Sequence, residues 1–184
     1  MGFGVELTLQ LSQCKERSII DKVSRELYLK SSVKSILFVC LGNICRSPLA
    51  EGIAKSLAKQ KGVDIEIDSA GTRGWHIGEP PCQRSIDVAR SNDLDISSLR
   101  GRRINPLDME RFELFVVMDS MNYNDMVKVM NFPKERVYKL GSFGFEGKDV
   151  PDPYNFSGNE GFDEVYKMIK KGVEMMFTEF RIGS

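Results

Sequence analysis

Residues 36–48 constrain this chain more than any other stretch. Ile36-Leu37-Phe38-Val39 is a continuous apolar run, the pattern of a strand covered on both faces. It passes without a spacer into Cys40-Leu41-Gly42-Asn43-Ile44-Cys45-Arg46-Ser47 and then Pro48. Gly42 and Asn43 are the residue types that most readily accept positive φ, so a tight turn is predicted there. Ser47 followed by Pro48 reads as an N-cap and a first helical residue. A strand that runs through a compact loop into a helix N-terminus gathers backbone N–H donors and the positive end of a helix dipole. That arrangement binds an anion.

The rest of the chain supplies the sheet this unit requires. A helix is expected over 48–61, with Leu49, Ile53, Leu57 and Ala58 inward and Gly62 as its C-cap. Short apolar runs at 63–70, 112–118 and 137–140 read as further strands, and helical patterns fall at 82–92, 106–111, 119–130 and 162–180. Asp119 or Ser120 reads as a helix cap. The reading is an α/β fold: a four-stranded parallel sheet with helices on both faces and a phosphate-binding loop between the first strand and first helix. Ligands of such sheets sit beyond the carboxyl ends of the strands. Cys40–Ser47, Ser69-Ala70-Gly71 and Met118-Asp119 therefore share one edge. A long segment at 141–158 holds Pro151-Asp152-Pro153-Tyr154, and its length marks it as functional.

Residues 1–34 are divided from the domain at 35–184. Leu7, Leu9 and Leu11 give a weak strand alternation, and Ile19, Ile20, Val23 and Leu27 lie at helical spacing. Val33-Lys34 just before the first strand resembles a translation start with valine in place of methionine, so the extension is expected either to dock loosely or to lie outside the native product.

Composition excludes several classes. Lys plus Arg total 26 and Asp plus Glu total 26, so no excess charge draws the chain to nucleic acid or to a membrane surface. No secretory signal or membrane span is visible. Four cysteines without a secreted spacing suit a reducing, cytoplasmic setting. One histidine and no metal-ligand motif imply neither metal nor other cofactor.

The chemistry follows from residue types. A thiol beside a cation at a helix N-terminus is in the surroundings that produce nucleophilic thiolates. Cys40 is the expected nucleophile on phosphorus, forming a phosphocysteine. Arg46 clamps two non-bridging oxygens through its planar fork, and the loop N–H groups hold the others. Ser47 donates to the thiolate, and Asn43 braces the loop. Asp152, stiffened by two prolines, is the expected general acid and then base. Trp75 and Tyr154 would wall a slot for an aromatic phosphate ester. Cys14 and Cys82 read as incidental thiols, and His76 as a surface residue.

From Val33 to Phe180 the chain resembles the low-molecular-weight protein tyrosine phosphatases. The resemblance rests on V-C-L-G-N-I-C-R-S-P at 39–48, D-S-A-G-T at 68–72, V-M-D at 117–119 and D-P-Y at 152–154. It implies metal-free hydrolysis of phosphotyrosine in proteins, with Cys40, Arg46 and Asp152 catalytic. Leu41, Gly42, Asn43, Ile44, Cys45 and Ser47 would form the phosphate loop, and Ser69 its support. It also implies a reversible disulfide between Cys45 and Cys40, which shields the nucleophile from irreversible oxidation. A monomer or weak dimer is expected. Leu99 stands where many members carry a histidine that supports the loop asparagine, and Asn155 where many carry an aromatic residue.

Three alternatives have distinct signatures. Arsenate reduction on this fold needs a further cysteine pair after the third strand, and 118–130 contains none. Protein-arginine phosphatases carry threonine where this chain has Ile44. A non-catalytic phosphate-binding module would tolerate loss of Cys40 or Asp152, and both are present.

Overall fold

The computed structural model describes residues 33–156 and 160–183. The strand and helix expected within 1–32 lie outside the described residues. Four strands, β1 (Ser35–Cys40), β2 (Glu66–Gly71), β3 (Leu114–Val117) and β4 (Val137–Lys139), pair in the order β2-β1-β3-β4. Every pairing is parallel, with Phe38 opposite Ser69 on one side and Val116 on the other. This is the expected architecture.

The central strand β1 is buried along its whole length, which is why its sequence is an unbroken apolar run. Its two faces serve two cores. Ile36, Phe38 and Cys40 pack with Leu49, Ala50 and Ile53 of α1 (Arg46–Lys61), Ile86 of α2 (Gln83–Arg90) and Val165, Ile169 and Val173 of α5 (Glu160–Glu179). Leu37 and Val39 pack on the other face with Phe112, Phe115, Met126 and Phe132. On that face lie the short α3 (Asp108–Arg111) and α4 (Ser120–Asn124). The chain after α4 continues as a wider π-type turn over Asp125–Val129, so the helix expected over 119–130 is a composite.

One boundary bears on the site. The first helix begins at Arg46, with Cys45 in the N-cap position, two residues before the predicted start. Pro48 is the third helical residue. Its missing N–H costs nothing there, because the first-turn N–H groups have no intrahelical acceptor. At the other end Gly62 adopts φ 66 and closes the helix in the left-handed conformation, as expected. Among the described residues no helix is long and apolar enough to cross a membrane.

Candidate active site

The loop between β1 and α1 is shaped by bonds that pull its carbonyls outward. The carbonyl of Cys40 accepts from Thr72 N at 2.9 Å, that of Leu41 from Arg73 N at 2.9 Å, and that of Ile44 from Cys82 N at 2.7 Å. In a trans peptide the N–H points opposite to the C=O. The following N–H groups are thereby turned away from those neighbours and toward the concave side of the loop. Asn43 supplies the turn, at φ 58, a region in which asparagine is among the few tolerated side chains. Its own N–H donates to Cys40 Sγ at 3.3 Å.

Cys40 ends β1 at 3% exposure. Besides the Asn43 N–H, its sulfur lies 3.1 Å from Ser47 Oγ. Asn43 braces this arrangement from behind. Its Nδ2 donates to Ser47 Oγ at 2.9 Å and to Ser69 Oγ at 2.8 Å, and its Oδ1 accepts from the backbone N of Arg102 at 2.8 Å. All the polar valences that matter for holding the side chain are used. A main-chain N–H thus meets the Asn43 oxygen, and Leu99, at the position where the resemblance leads one to expect a histidine, packs against the core. Ser69 in turn donates to Glu51 at 2.6 Å. Glu51 is buried on α1 and is paired with Lys55 one turn later, so the carboxylate is not left uncompensated in the interior.

Arg46 is the first residue of α1 and is 5% exposed. Its Nη1 donates to Asp119 Oδ2 at 2.7 Å and to the carbonyl of Val150 at 2.9 Å. Its Nη2 lies 3.9 Å from Asp152 Oδ2. Burial works against the guanidinium charge, but Cys40, Asp119 and Asp152 outweigh it and hold the group above its ordinary value. Asp119 follows β3 and also caps α4, accepting from Asn122 N at 2.7 Å. One carboxylate thus performs two tasks.

Asp152 lies between Pro151 and Pro153, at the head of a short 3₁₀ turn over Pro153–Asn155. Its Oδ1 accepts from Tyr154 N at 3.0 Å, which leaves Oδ2 on the side of Arg46. The side chain is 38% exposed, open to a substrate from solvent. Tyr154 stacks edge-on against Phe162 of α5, with ring centroids 5.6 Å apart. Burial, together with the neighbouring sulfurs of Cys82 and Cys45, raises its hydroxyl above the ordinary value. The second aromatic of this segment is Phe156, one residue beyond Asn155, and it packs over Gly161.

Trp75 is 65% exposed on the segment after β2, so it is not a buried wall. Its neighbour His76 is more involved with the loop than a surface reading allows. A Cβ placed on Gly42 would stand 3.1 Å from His76 Cδ2, so the imidazole lies directly over the loop glycine. Its Nδ1 is 2.8 Å from Glu79 Oε2.

The structure thus brings Cys40, Asn43, Arg46, Ser47, Ser69 and Asp152 together. Asp119, Glu51, the Val150 carbonyl and the Arg102 N–H were not predicted as parts of the site. Asp119 alone had a readable signal, its place at the carboxyl end of a strand beside the phosphate loop. Cys82, read as an incidental thiol, has its sulfur 3.0 Å from Cys45 Sγ.

Comparison with known proteins shows what the whole chain is similar to. The family model "Low molecular weight phosphotyrosine protein phosphatase" matches residues 35–182. The low molecular weight protein-tyrosine-phosphatase YfkJ of Bacillus subtilis is 37% identical over 152 residues, 80% of this chain and 96% of that protein. The crystal structure of YfkJ superposes with a TM-score of 0.73 at 34% identity, covering 83% of this chain and 97% of that one. The Drosophila arginine phosphatase DARP is also similar, with a TM-score of 0.72 at 31% identity, covering 79% of this chain and 97% of that one.

Proposed function

This chain belongs to the low molecular weight phosphotyrosine protein phosphatase family, and we propose that Cys40, Arg46 and Asp152 carry its hydrolysis of phosphotyrosine in proteins. The observation that carries the assignment is the placement of Cys40. Its sulfur accepts from a loop N–H, stands beside the Ser47 hydroxyl, and shares the mouth of the loop with a buried guanidinium that is itself anchored.

The phosphoryl dianion enters the concave side of the loop, where the N–H groups of residues 41–46 and the Arg46 fork take its non-bridging oxygens. The Cys40 thiolate attacks phosphorus in line. The S–P bond forms as the P–O bond to tyrosine breaks, and Asp152 gives its proton to the departing phenolate. In the second step Asp152 takes a proton from water, the water oxygen attacks phosphorus, and Cys40 leaves as a thiolate stabilised by Ser47. Asp119 and the Val150 carbonyl hold Arg46 against rotation, so little ordering remains to be done when the substrate binds. Tyr154 and Trp75 contact the aromatic ring at the rim.

Ile44 supports tyrosine over arginine as the phosphorylated residue, because a half-buried branched aliphatic side chain in the loop suits an aryl ester better than a guanidinium. The catalytic unit spans 35–184, in keeping with a family match that begins at residue 35. A cytoplasmic location is supported by the free thiols, which a reducing compartment preserves.

The test is a side-by-side assay on a phosphotyrosine peptide, phosphoarginine and arsenate. Turnover should be greatest on phosphotyrosine, and greater turnover of phosphoarginine would reverse the assignment. Asp152→Asn should slow a poor leaving group at least tenfold more than a good one such as p-nitrophenolate. Equal slowing would remove Asp152 from the role of acid.

A further inference from the structure

Cys82 takes no part in phosphoryl transfer, yet its position is closely specified. It occupies the N-cap position of α2 and donates its backbone N–H to the carbonyl of Ile44 at 2.7 Å. Its sulfur lies 3.0 Å from Cys45 Sγ and 3.1 Å from Ser85 Oγ. Ser85 reaches back across the same junction, its hydroxyl donating to the Cys45 carbonyl at 3.4 Å. Two thiols 37 positions apart are thus held sulfur to sulfur by main-chain and side-chain bonds on either side of them. Both are free thiols. A disulfide needs an S–S separation of about 2.05 Å, so the sulfurs have about 1 Å to travel, a distance within reach of small side-chain rotations.

We propose that Cys45 and Cys82 form a redox-active dithiol whose disulfide fastens the phosphate loop to the start of α2. Cys45 is 7% exposed, whereas Cys82 is only half-buried. An oxidant therefore meets Cys82 first. The Cys45 hydrogen bond, assisted by Ser85, lowers Cys82 to about 6, while the same bond and burial push Cys45 up. The shifts thus favour ionisation of the accessible sulfur over the buried one.

With hydrogen peroxide as oxidant, the Cys82 thiolate attacks one peroxide oxygen. The O–O bond breaks, and proton uptake gives a Cys82 sulfenic acid and water. Cys45 sulfur then attacks the sulfenic sulfur, the S–O bond breaks, and the departing hydroxide takes the Cys45 proton to leave as a second water. Two thiols and one peroxide become one disulfide and two waters, and a small dithiol reverses the change by exchange. The sequence resemblance pairs Cys45 with Cys40. A bond from Cys45 to Cys82 excludes that pairing and leaves the Cys40 sulfur unlinked. The inference does not depend on which ester the enzyme hydrolyses.

The experiment uses the full chain carrying Cys14→Ser and Cys40→Ser, which removes the two competing thiols. The protein is treated with a few equivalents of peroxide, blocked with N-ethylmaleimide, digested with trypsin and mapped by mass spectrometry. The expected product is the peptide ending at Arg46 linked to the peptide ending at Arg84, absent after dithiothreitol and absent when Cys82→Ser is added. The oxidised protein should also melt several degrees higher than its reduced form, because the bond closes a loop in the unfolded chain. Separate alkylation of Cys45 and Cys82 after peroxide would overturn the proposal, as would a linkage found only in disulfide-bonded dimers. Oxidation of wild type that links Cys45 to Cys40 while Cys82 stays fully alkylatable would overturn it too.

Discussion

Replacing Asp119 by asparagine tests whether Arg46 is held in place or is merely present. Asparagine keeps the shape of the side chain and its one amide oxygen can still cap α4 at Asn122 N, but its NH2 then faces Arg46, so the substitution removes the charge and the acceptor for the guanidinium while sparing the cap. The carboxylate faces Arg46 at 2.7 Å. At an effective dielectric of 20, unit charges at that separation attract by about 6 kcal/mol. Much of this is offset. The desolvation of Asp119 is no longer needed, and Arg46 keeps the Val150 carbonyl at 2.9 Å and Asp152 at 3.9 Å. Asp119 is also 19% exposed, so the 3–5 kcal/mol typical of breaking a buried pair is an upper bound, and a net loss of about 2 kcal/mol is expected. With a urea m-value of about 2 kcal/mol/M, the unfolding midpoint should fall by roughly 1 M. The loosened guanidinium should lower kcat/KM for an aryl phosphate by about 10–100-fold, or about 1.4–2.7 kcal/mol of transition-state stabilisation. Inhibition by inorganic phosphate should weaken in parallel. Asp119→Ala should cost about 1 kcal/mol more, through loss of the cap. An Asp119→Asn enzyme whose midpoint and kcat/KM both match wild type would refute the claim that this carboxylate positions the arginine.

Three other outcomes follow. Asn43→Ala deletes three side-chain hydrogen bonds and places alanine at φ 58. It should destabilise the protein by about 2–4 kcal/mol in thermal melts and lower kcat at least tenfold. Leu99→His should leave kcat within about twofold of wild type, because the Asn43 oxygen already has the Arg102 N–H; a tenfold gain would show that the loop lacks support. The Cys82 thiol is lowered to about 6, chiefly by the Cys45 hydrogen bond, so its alkylation by iodoacetamide should rise with pH through a midpoint near that value. The Cys82 depression contributes stability that is lost as pH falls from the ordinary thiol range through about 6, while above that range the raised Cys45 thiol works against folding. Cys45→Ala should move the alkylation midpoint upward, and an unmoved midpoint would contradict the stated cause.

What the sequence disclosed, and what it hid, divides along the range of the interactions. The strand at 36–39, the Gly62 cap and the Asn43 turn depend on local burial and backbone preference, and a pattern of residue types encodes those directly. The start of α1 was misplaced because Ser47-Pro48 carries a valid cap signal. The Ser47 hydroxyl is instead committed to Cys40 and Asn43, and the helix begins at Arg46. Asp119 was legible as a cap and not as the partner of Arg46, because the two lie 73 positions apart. Glu51 sits among apolar neighbours on α1, where the periodic pattern predicts nothing for a carboxylate. Cys82 gains its meaning only when β2 and the segment after it bring α2 against the loop. Cys40, Arg46 and Asp152 stand out in the sequence because the proposed chemistry demands those residue types, and the structure brings their side chains to one place.

The central claim is that phosphoryl transfer passes through the sulfur of Cys40. It is tested most directly by acid-quenching the enzyme during turnover of p-nitrophenyl phosphate and mapping the trapped phosphoryl group by mass spectrometry. Asp152→Ala serves to slow hydrolysis of the intermediate. The account predicts one phosphoryl group on Cys40, in the tryptic peptide that ends at Arg46, and neither label nor turnover in Cys40→Ser. Turnover that persists in Cys40→Ser, or a phosphoryl group trapped on any other residue, would contradict it.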